Sequence, residues 1–282
     1  MALPVAHHFG RSRDRPRQNE LSINTMVDVP ALCPSSNAKI TTHVLSSITL
    51  QGSKYGTLQD LVKANKDIKV SQYRTMLGVD EAFLLICTGY HDGTLIRMAA
   101  DCGMPRGFPL LYVPSTETIT VFGFYPKFNN DDRSGEIKQI KGTCIGTLKY
   151  SGYLGGILPF MHRDKLYVIY TSKNSAIQDS PFVSGVRRIF ETVPQYAAAL
   201  RELALAGRYM YAEILSFDDQ THGYALRAEA AVITLIGQSR VIGTGKASGR
   251  HCNFVEYLTG AEIDTFCHQY GLARDGSFRC DE

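Results

Sequence analysis

Nowhere in this chain of 282 residues does an apolar stretch approach the ~18 residues that a bilayer crossing needs, so no membrane span is expected. The first 20 residues also lack the apolar core of a secretory signal. They hold Arg11, Arg13, Arg15 and Arg17 among Pro, Gly and His, and residues 1–40 read as a disordered basic tail. Asp14 and Glu20 count against an organelle presequence. No Cys-x-x-Cys occurs among the seven cysteines, and their number is odd. That argues against a disulfide framework and for reduced thiols in an intracellular compartment, cytoplasmic or nuclear. His251-Cys252 and Cys267-His268 come nearest to a zinc set, but tight ligand pairs are lacking and Cys267 falls in a helical segment, where cysteine usually packs in a core. The excess of positive charge is only +3, too little to require a polyanionic partner, although 30 Lys and Arg can cluster on one face. There is no internal repeat, no Ser-His-Asp arrangement and no Walker-type phosphate loop.

What is present is an ordinary globular composition, 44% hydrophobic and 20% charged, in a chain long enough for a sizeable core. Thr57 with Asp60, Leu58, Leu61 and Val62 predicts a short capped helix. From Phe83 to Phe160 the chain reads as short β runs: 83–88, 108–113, 118–124, 144–149 and 153–160, separated by Pro, Asp, Asn and Gly. A further run covers 166–171. Residues 194–206 are Ala- and Leu-rich and predict a helix ended by Gly207. Strands are expected at 209–215 and 224–236. Thr259 and Glu262 form a capping box for a last helix that stops at Gly271. The sum is an α+β domain with a mostly antiparallel sheet.

The segment Gly146-Thr147-Leu148-Lys149-Tyr150-Ser151-Gly152-Tyr153-Leu154 delivers one lysine from a strand-like approach to a Ser-Gly turn, with an apolar run behind it. This arrangement can present an amine at a pocket floor. At a reference pKa of 10.4 only ~0.04% of lysine is neutral at pH 7, and a depression of three units by neighbouring cations recovers about 4 kcal/mol of that handicap. The cations available are Arg106, opening the run at 108, Lys127 in Phe124-Tyr125-Pro126-Lys127-Phe128-Asn129, and Lys173 in Thr171-Ser172-Lys173-Asn174-Ser175. One carboxylate, Glu213, lies in the run Tyr211-Ala212-Glu213-Ile214. Each sits in or beside a β run, and strand ends of one sheet can converge on one pocket. There the cations stabilise phosphate charge and the carboxylate suits Mg²⁺ or a ribose hydroxyl.

This ordered set resembles the RNA ligase 1 family of T-even phage, with its fungal tRNA ligase relatives, within the covalent nucleotidyltransferase superfamily. The family order is Arg-Gly, Lys-Phe-Phe-Asn, Lys-x-Asp/Asn-Gly, Thr/Ser-Lys-x-Ser and a Phe-Glu-type strand, and the resemblance spans residues 80–275. It implies an ATP-grasp-like nucleotidyltransferase domain over 41–282, with antiparallel sheets flanked by helices. It also implies an ATP- and Mg²⁺-dependent RNA ligase that seals 5′-phosphate and 3′-hydroxyl RNA ends, tRNA included. Lys149 would carry AMP. Arg106, Lys127, Gly152, Lys173 and Glu213 would bind ATP, with Glu213 on ribose or metal.

The sequence departs from the family at Ser151, where Asp or Asn is usual, and at Asn129, where a second Phe is usual. Phe217-Asp218-Asp219-Gln220-Thr221 replaces a Pro-x-Asn-Arg turn, and neither Glu-Gly-x-Val nor Lys-x-Lys occurs. The expectation is therefore a C-terminally incomplete ligase domain that labels weakly or not at all. The alternative is a non-catalytic descendant that binds nucleotide or RNA.

Overall fold

The computed structural model describes residues 27–50, 54–89, 107–123, 144–147, 150–173, 175–217, 219, 229–239, 255–274 and 277–280. Five strands form an antiparallel meander in sequential order: β1 (Cys33–Ser35), β2 (Ile68–Leu77), β3 (Asp80–Gly89), β4 (Gly107–Val113) and β5 (Thr118–Val121). Strand β3 is buried on both faces, as a central strand with apolar residues at successive positions must be. On one side lie helices α1 (Ala38–Ser46) and α2 (Leu58–Ala64), which feed Val44, Leu45, Leu58 and Leu61 into the core. Asn37 caps α1 through its side-chain oxygen, and Thr57 with Asp60 closes the expected capping box on α2.

A short ladder pairs β6 (Cys144–Thr147) with β13 (Ser277–Cys280). The second large sheet has β7 (Tyr153–His162), β8 (Lys165–Ser172), β9 (Arg208–Leu215), β10 (Ala230–Ser239) and β11 (Val255–Tyr257) in the order β11-β10-β9-β7-β8. β12 (Ala273–Arg274) adds a parallel pair to β10. Alternation along the strands gives this sheet two apolar faces. Leu158, Phe160, Tyr167, Ile169, Tyr209 and Tyr211 join the core of the first sheet. Ile157, Val168, Met210, Ala212 and Ile214 instead meet α3 (Pro181–Glu191), α4 (Tyr196–Leu205) and α5 (Gly260–Tyr270). α5 begins at the Thr259–Glu262 capping box and ends at Gly271, whose φ of +65° is the left-handed cap read from the sequence. Its Cys267 is buried in this core.

Two contacts set how the sheets face each other. At the β2–β3 hairpin, the Asp80 carboxylate accepts from Arg163 (Nε at 2.5 Å, Nη2 at 3.0 Å) and from Ser115 Oγ at 2.7 Å, and lies 2.7 Å from His162 Nε2. Arg163 lies in the β7–β8 turn and His162 ends β7, so the two hairpins are latched tip to tip. The Arg163 bond, then those of Ser115 and His162, hold the Asp80 carboxyl far below the usual carboxylate range. Further along, the Ala176 amide donates to Tyr73 Oη at 3.5 Å, tying β2 to the residues that follow β8.

The structure corrects one boundary. Residues 27–40 are not tail: Asp28 exchanges main-chain bonds with Leu166 and Val168, pairs with Lys165 at 2.6 Å, and leads through buried Leu32 into β1 and α1. Residues 1–26 lie outside the described residues. No described helix is long and apolar enough to cross a membrane.

Candidate active site

The β7 strand lies between β9 and the edge strand β8 in the second sheet, and the chain at its start is short of side chains. Gly152, Gly155 and Gly156 each stand where a Cβ would collide. At Gly155 it would meet Ile214 and Val186 side chains at 2.6 and 2.7 Å, so α3 and β9 close tightly on that face. At Gly156 it would meet Thr171 Oγ1 at 2.3 Å and the Tyr211 ring at 2.9 Å. At Gly152 it would lie 2.3 Å from the Ile214 carbonyl oxygen. The glycine after the Ser-Gly turn is thus required by backbone approach to β9.

That approach brings Glu213 to the turn. The Gly152 amide donates to Glu213 Oε1 at 3.0 Å across 61 residues of sequence. Glu213 shares its face of β9 with Tyr209 and Tyr211, the face turned toward the first sheet. Burial pushes both tyrosine hydroxyls far above their ordinary range, so they stay neutral. Tyr209 Oη accepts from the Gly123 amide at 2.7 Å, which fixes the end of β5 against β9. Phe122 packs edge-on against Tyr209 with ring centroids 5.6 Å apart.

Lys173 is exposed in the turn that follows β8. This turn is closed by Ser172, whose amide donates to the Ser175 carbonyl at 2.8 Å. The β7–β8 register pairs Gly155 with Ser172, and the β7–β9 register pairs Leu154 with Glu213. Ser172, the last residue of β8, thus sits beside Gly155, so the turn that carries Lys173 and the strand that carries Glu213 flank β7 at the same end of the sheet. Gly152, Lys173 and Glu213 therefore gather at the sheet end remote from the Asp80 latch. Arg106, Lys127 and Lys149 lie outside the described residues. Gly107, which follows Arg106, opens β4 at the corresponding end of the first sheet, paired with Thr88.

A neighbouring cluster was not legible in the sequence. Glu229, just before β10, accepts from Arg188 Nε at 2.8 Å and Nη2 at 2.5 Å, from Ser216 Oγ at 2.9 Å and from the Phe217 amide at 3.0 Å. It pins the end of β9 to α3. The Arg188 bond is the main cause that holds its carboxyl at about 2. A carboxyl acidified by folding stabilises fully above its unfolded value near 4.3, and that contribution fades as pH falls toward 2. Glu229→Gln is expected to cost about 2 kcal/mol at pH 7 and progressively less below pH 4, read as urea midpoints across pH; a pH-independent difference would refute the assignment.

Among the described residues no group of three or more His, Cys, Asp or Glu could hold a metal. Glu213 Oε2 has no hydrogen-bond partner among them, so a single carboxylate oxygen is available. That suits Mg²⁺ arriving with a polyphosphate and keeping its waters, rather than a caged ion. No known protein-family model matches this chain, and no curated protein does.

Proposed function

We propose that this chain is an ATP-grasp-like covalent nucleotidyltransferase of the RNA ligase type, acting on RNA with ATP and Mg²⁺. The observation that carries the reading is the Gly152–Glu213 hydrogen bond. Lys149 precedes Gly152 by three residues, a tether of at most about 11 Å. The carboxylate expected from the last of the five elements thus meets the turn that follows the expected nucleophile. Lys173, from the fourth element, stands on the other side of the same strand. Mg²⁺ supplies charge neutralisation on the phosphates, with Glu213 as its protein ligand or as the acceptor of a ribose hydroxyl.

In this reading the Lys149 amine loses a proton and attacks the α-phosphorus of ATP. A P–N bond forms, the bond to the bridging oxygen breaks, and pyrophosphate leaves. A 5′-phosphate oxygen of RNA then displaces the lysine, and a 3′-hydroxyl displaces AMP to form the phosphodiester. Arg106, Lys127 and Lys173 counter the phosphate charge as it shifts. Protein incubated with α-labelled ATP and Mg²⁺ is expected to take up covalent label, weakly in the absence of Glu-Gly-x-Val and Lys-x-Lys, and Lys149→Ala to abolish it. ATP binding without any label by a version that also carries Glu-Gly-x-Val and Lys-x-Lys overturns the catalytic reading. It favours the second one, a nucleotide- or RNA-binding descendant.

A further inference from the structure

The short ladder of β6 and β13 brings two cysteines from distant parts of the chain into register. It pairs Ser277 with Thr147, Phe278 with Gly146, Arg279 with Ile145 and Cys280 with Cys144. The pairing is antiparallel and runs without a shift. Residues directly opposite in such a ladder lie on one side of it, with Cα atoms about 5.5 Å apart in a hydrogen-bonded pair and about 4.5 Å apart in the other kind. Both spacings fall within the ~4.4–6.8 Å that a disulfide spans, so the backbone need not move to join the two residues. Elsewhere in the described strands cysteine meets other residue types. Cys33 stands opposite Arg74, and Cys87 lies between Val70 and Phe108.

The place of this pair in the fold gives a bond there a consequence. β6 and β13 form a sheet of two strands, four residues each, and a two-stranded ladder is marginal by itself. β13 follows closely on β12, which is fixed to the second sheet. Ala273 and Arg274 pair with Val232 and Ile233 of β10, and Arg274 donates to the Ile233 carbonyl at 2.9 Å and to Asp264 Oδ1 at 2.9 Å. β6 ends at Thr147, and Lys149 follows two residues later. A covalent bond between positions 144 and 280 therefore ties the strand that runs to Lys149 to a segment anchored on β10 and α5.

We infer that Cys144 and Cys280 form a reversible disulfide, a redox-controlled staple across the β6–β13 ladder. The oxidant is a small disulfide of the glutathione class. One cysteine, as thiolate, attacks a sulfur of that disulfide; a mixed disulfide forms and one glutathione thiolate leaves. The second cysteine then attacks the protein sulfur of the mixed disulfide and expels the other glutathione. Two protein thiols are oxidised, one small disulfide is reduced to two thiols, and the protons pass to the departing thiolates. Excess reduced thiol runs the exchange backwards and opens the staple. The site goes beyond the ligase reading and does not depend on it.

The test treats the whole reduced chain with oxidised glutathione, blocks the remaining thiols and maps tryptic fragments without reductant. A fragment joining residues 142–149 to the piece that begins at Cys280 is expected, and dithiothreitol should split it. The oxidised chain should also melt about 5 °C higher than the reduced one, because the bond closes a long loop in the unfolded chain. Cys144→Ser and Cys280→Ser should each abolish the joined fragment and the rise in melting temperature, and Cys33→Ser should leave both. The fragment map of the unmodified chain decides alone if a serine variant does not fold. Glutathione adducts at 144 or 280 without the joined fragment overturn the staple. So does a bond from either residue to a third cysteine in its place, or a joined fragment confined to covalent dimers. A joined fragment that forms equally well in the chain unfolded by guanidinium also overturns it, since the ladder would then play no part in bringing the pair together.

Discussion

Gly152→Ala is expected to destabilise the fold by about 3 kcal/mol and to remove nearly all self-labelling. The added carbon would lie 2.3 Å from the Ile214 carbonyl oxygen, 2.9 Å from its carbon and 3.0 Å from Leu215 Cδ2. Two of those three atoms are backbone, so no rotamer change relieves the clash, and β7 must move off β9. The movement breaks the Gly152–Glu213 hydrogen bond and displaces the turn that follows Lys149. Two other glycines calibrate the result. At Gly207 a Cβ meets nothing within 4 Å, but φ is +63°, so Gly207→Ala should cost about 1 kcal/mol through backbone strain alone and leave labelling intact. At Gly260, the first residue of α5, there is neither clash nor positive φ, and Ala should be neutral or stabilise by a few tenths of a kcal/mol. Thermal melts order the three. A Gly152→Ala protein that melts and labels like the parent would refute the close approach.

The same contrast between local and long-range causes explains what could be read in advance. Thr57–Asp60, Thr259–Glu262 and Gly271 are local signals, because a cap forms between residues three or four apart. They appear as read. β2 did not stand out, because Lys69, Ser71, Gln72, Arg74 and Thr75 interrupt its apolar pattern. Its buried Gln72 and Thr75 are satisfied only by distant partners: Gln72 bonds Asn37 and Thr41, and Thr75 bonds the Ala31 carbonyl. α1, which straddles the expected boundary at residue 40, was not read as a helix, since Ile40, Thr41, Thr42 and Val44 are poor helix formers that hold only against the sheet. α3 carries its apolar face at Val183, Val186, Ile189 and Phe190, but Gly185 weakens the pattern. That glycine has a packing reason visible only in three dimensions, because a Cβ there would lie 2.3 Å from Tyr153 Oη. At the candidate site, the sequence shows the order of the cations and the carboxylate along the chain, while Arg106, Lys127 and Lys149 lie outside the described residues. The Gly152–Glu213 bond and the Arg188–Glu229 pair were not, since partners 61 and 41 residues apart leave no mark on local spacing.

Glu213→Gln is expected to abolish labelling, a loss of at least about 10²-fold, while leaving stability near that of the parent. The amide side chain keeps an oxygen for the Gly152 N–H, so the turn stays in place. What it removes is the negative charge, which a metal-bound polyphosphate requires and a structural hydrogen bond does not. Glu213→Ala removes both, and should lose labelling equally while also losing about 1 kcal/mol of stability with the hydrogen bond. The two variants together separate chemistry from architecture. Equal loss of label with unequal melting makes Glu213 a charge partner of the nucleotide. Labelling restored to the parental rate by Gln, with only Ala defective, would make it a brace for the Gly152 turn and deny it a part in the reaction. The Mg²⁺ dependence of the residual label gives a further readout. A carboxylate that meets the metal should shift the Mg²⁺ midpoint upward on conversion to Gln, and a brace should leave it where it is.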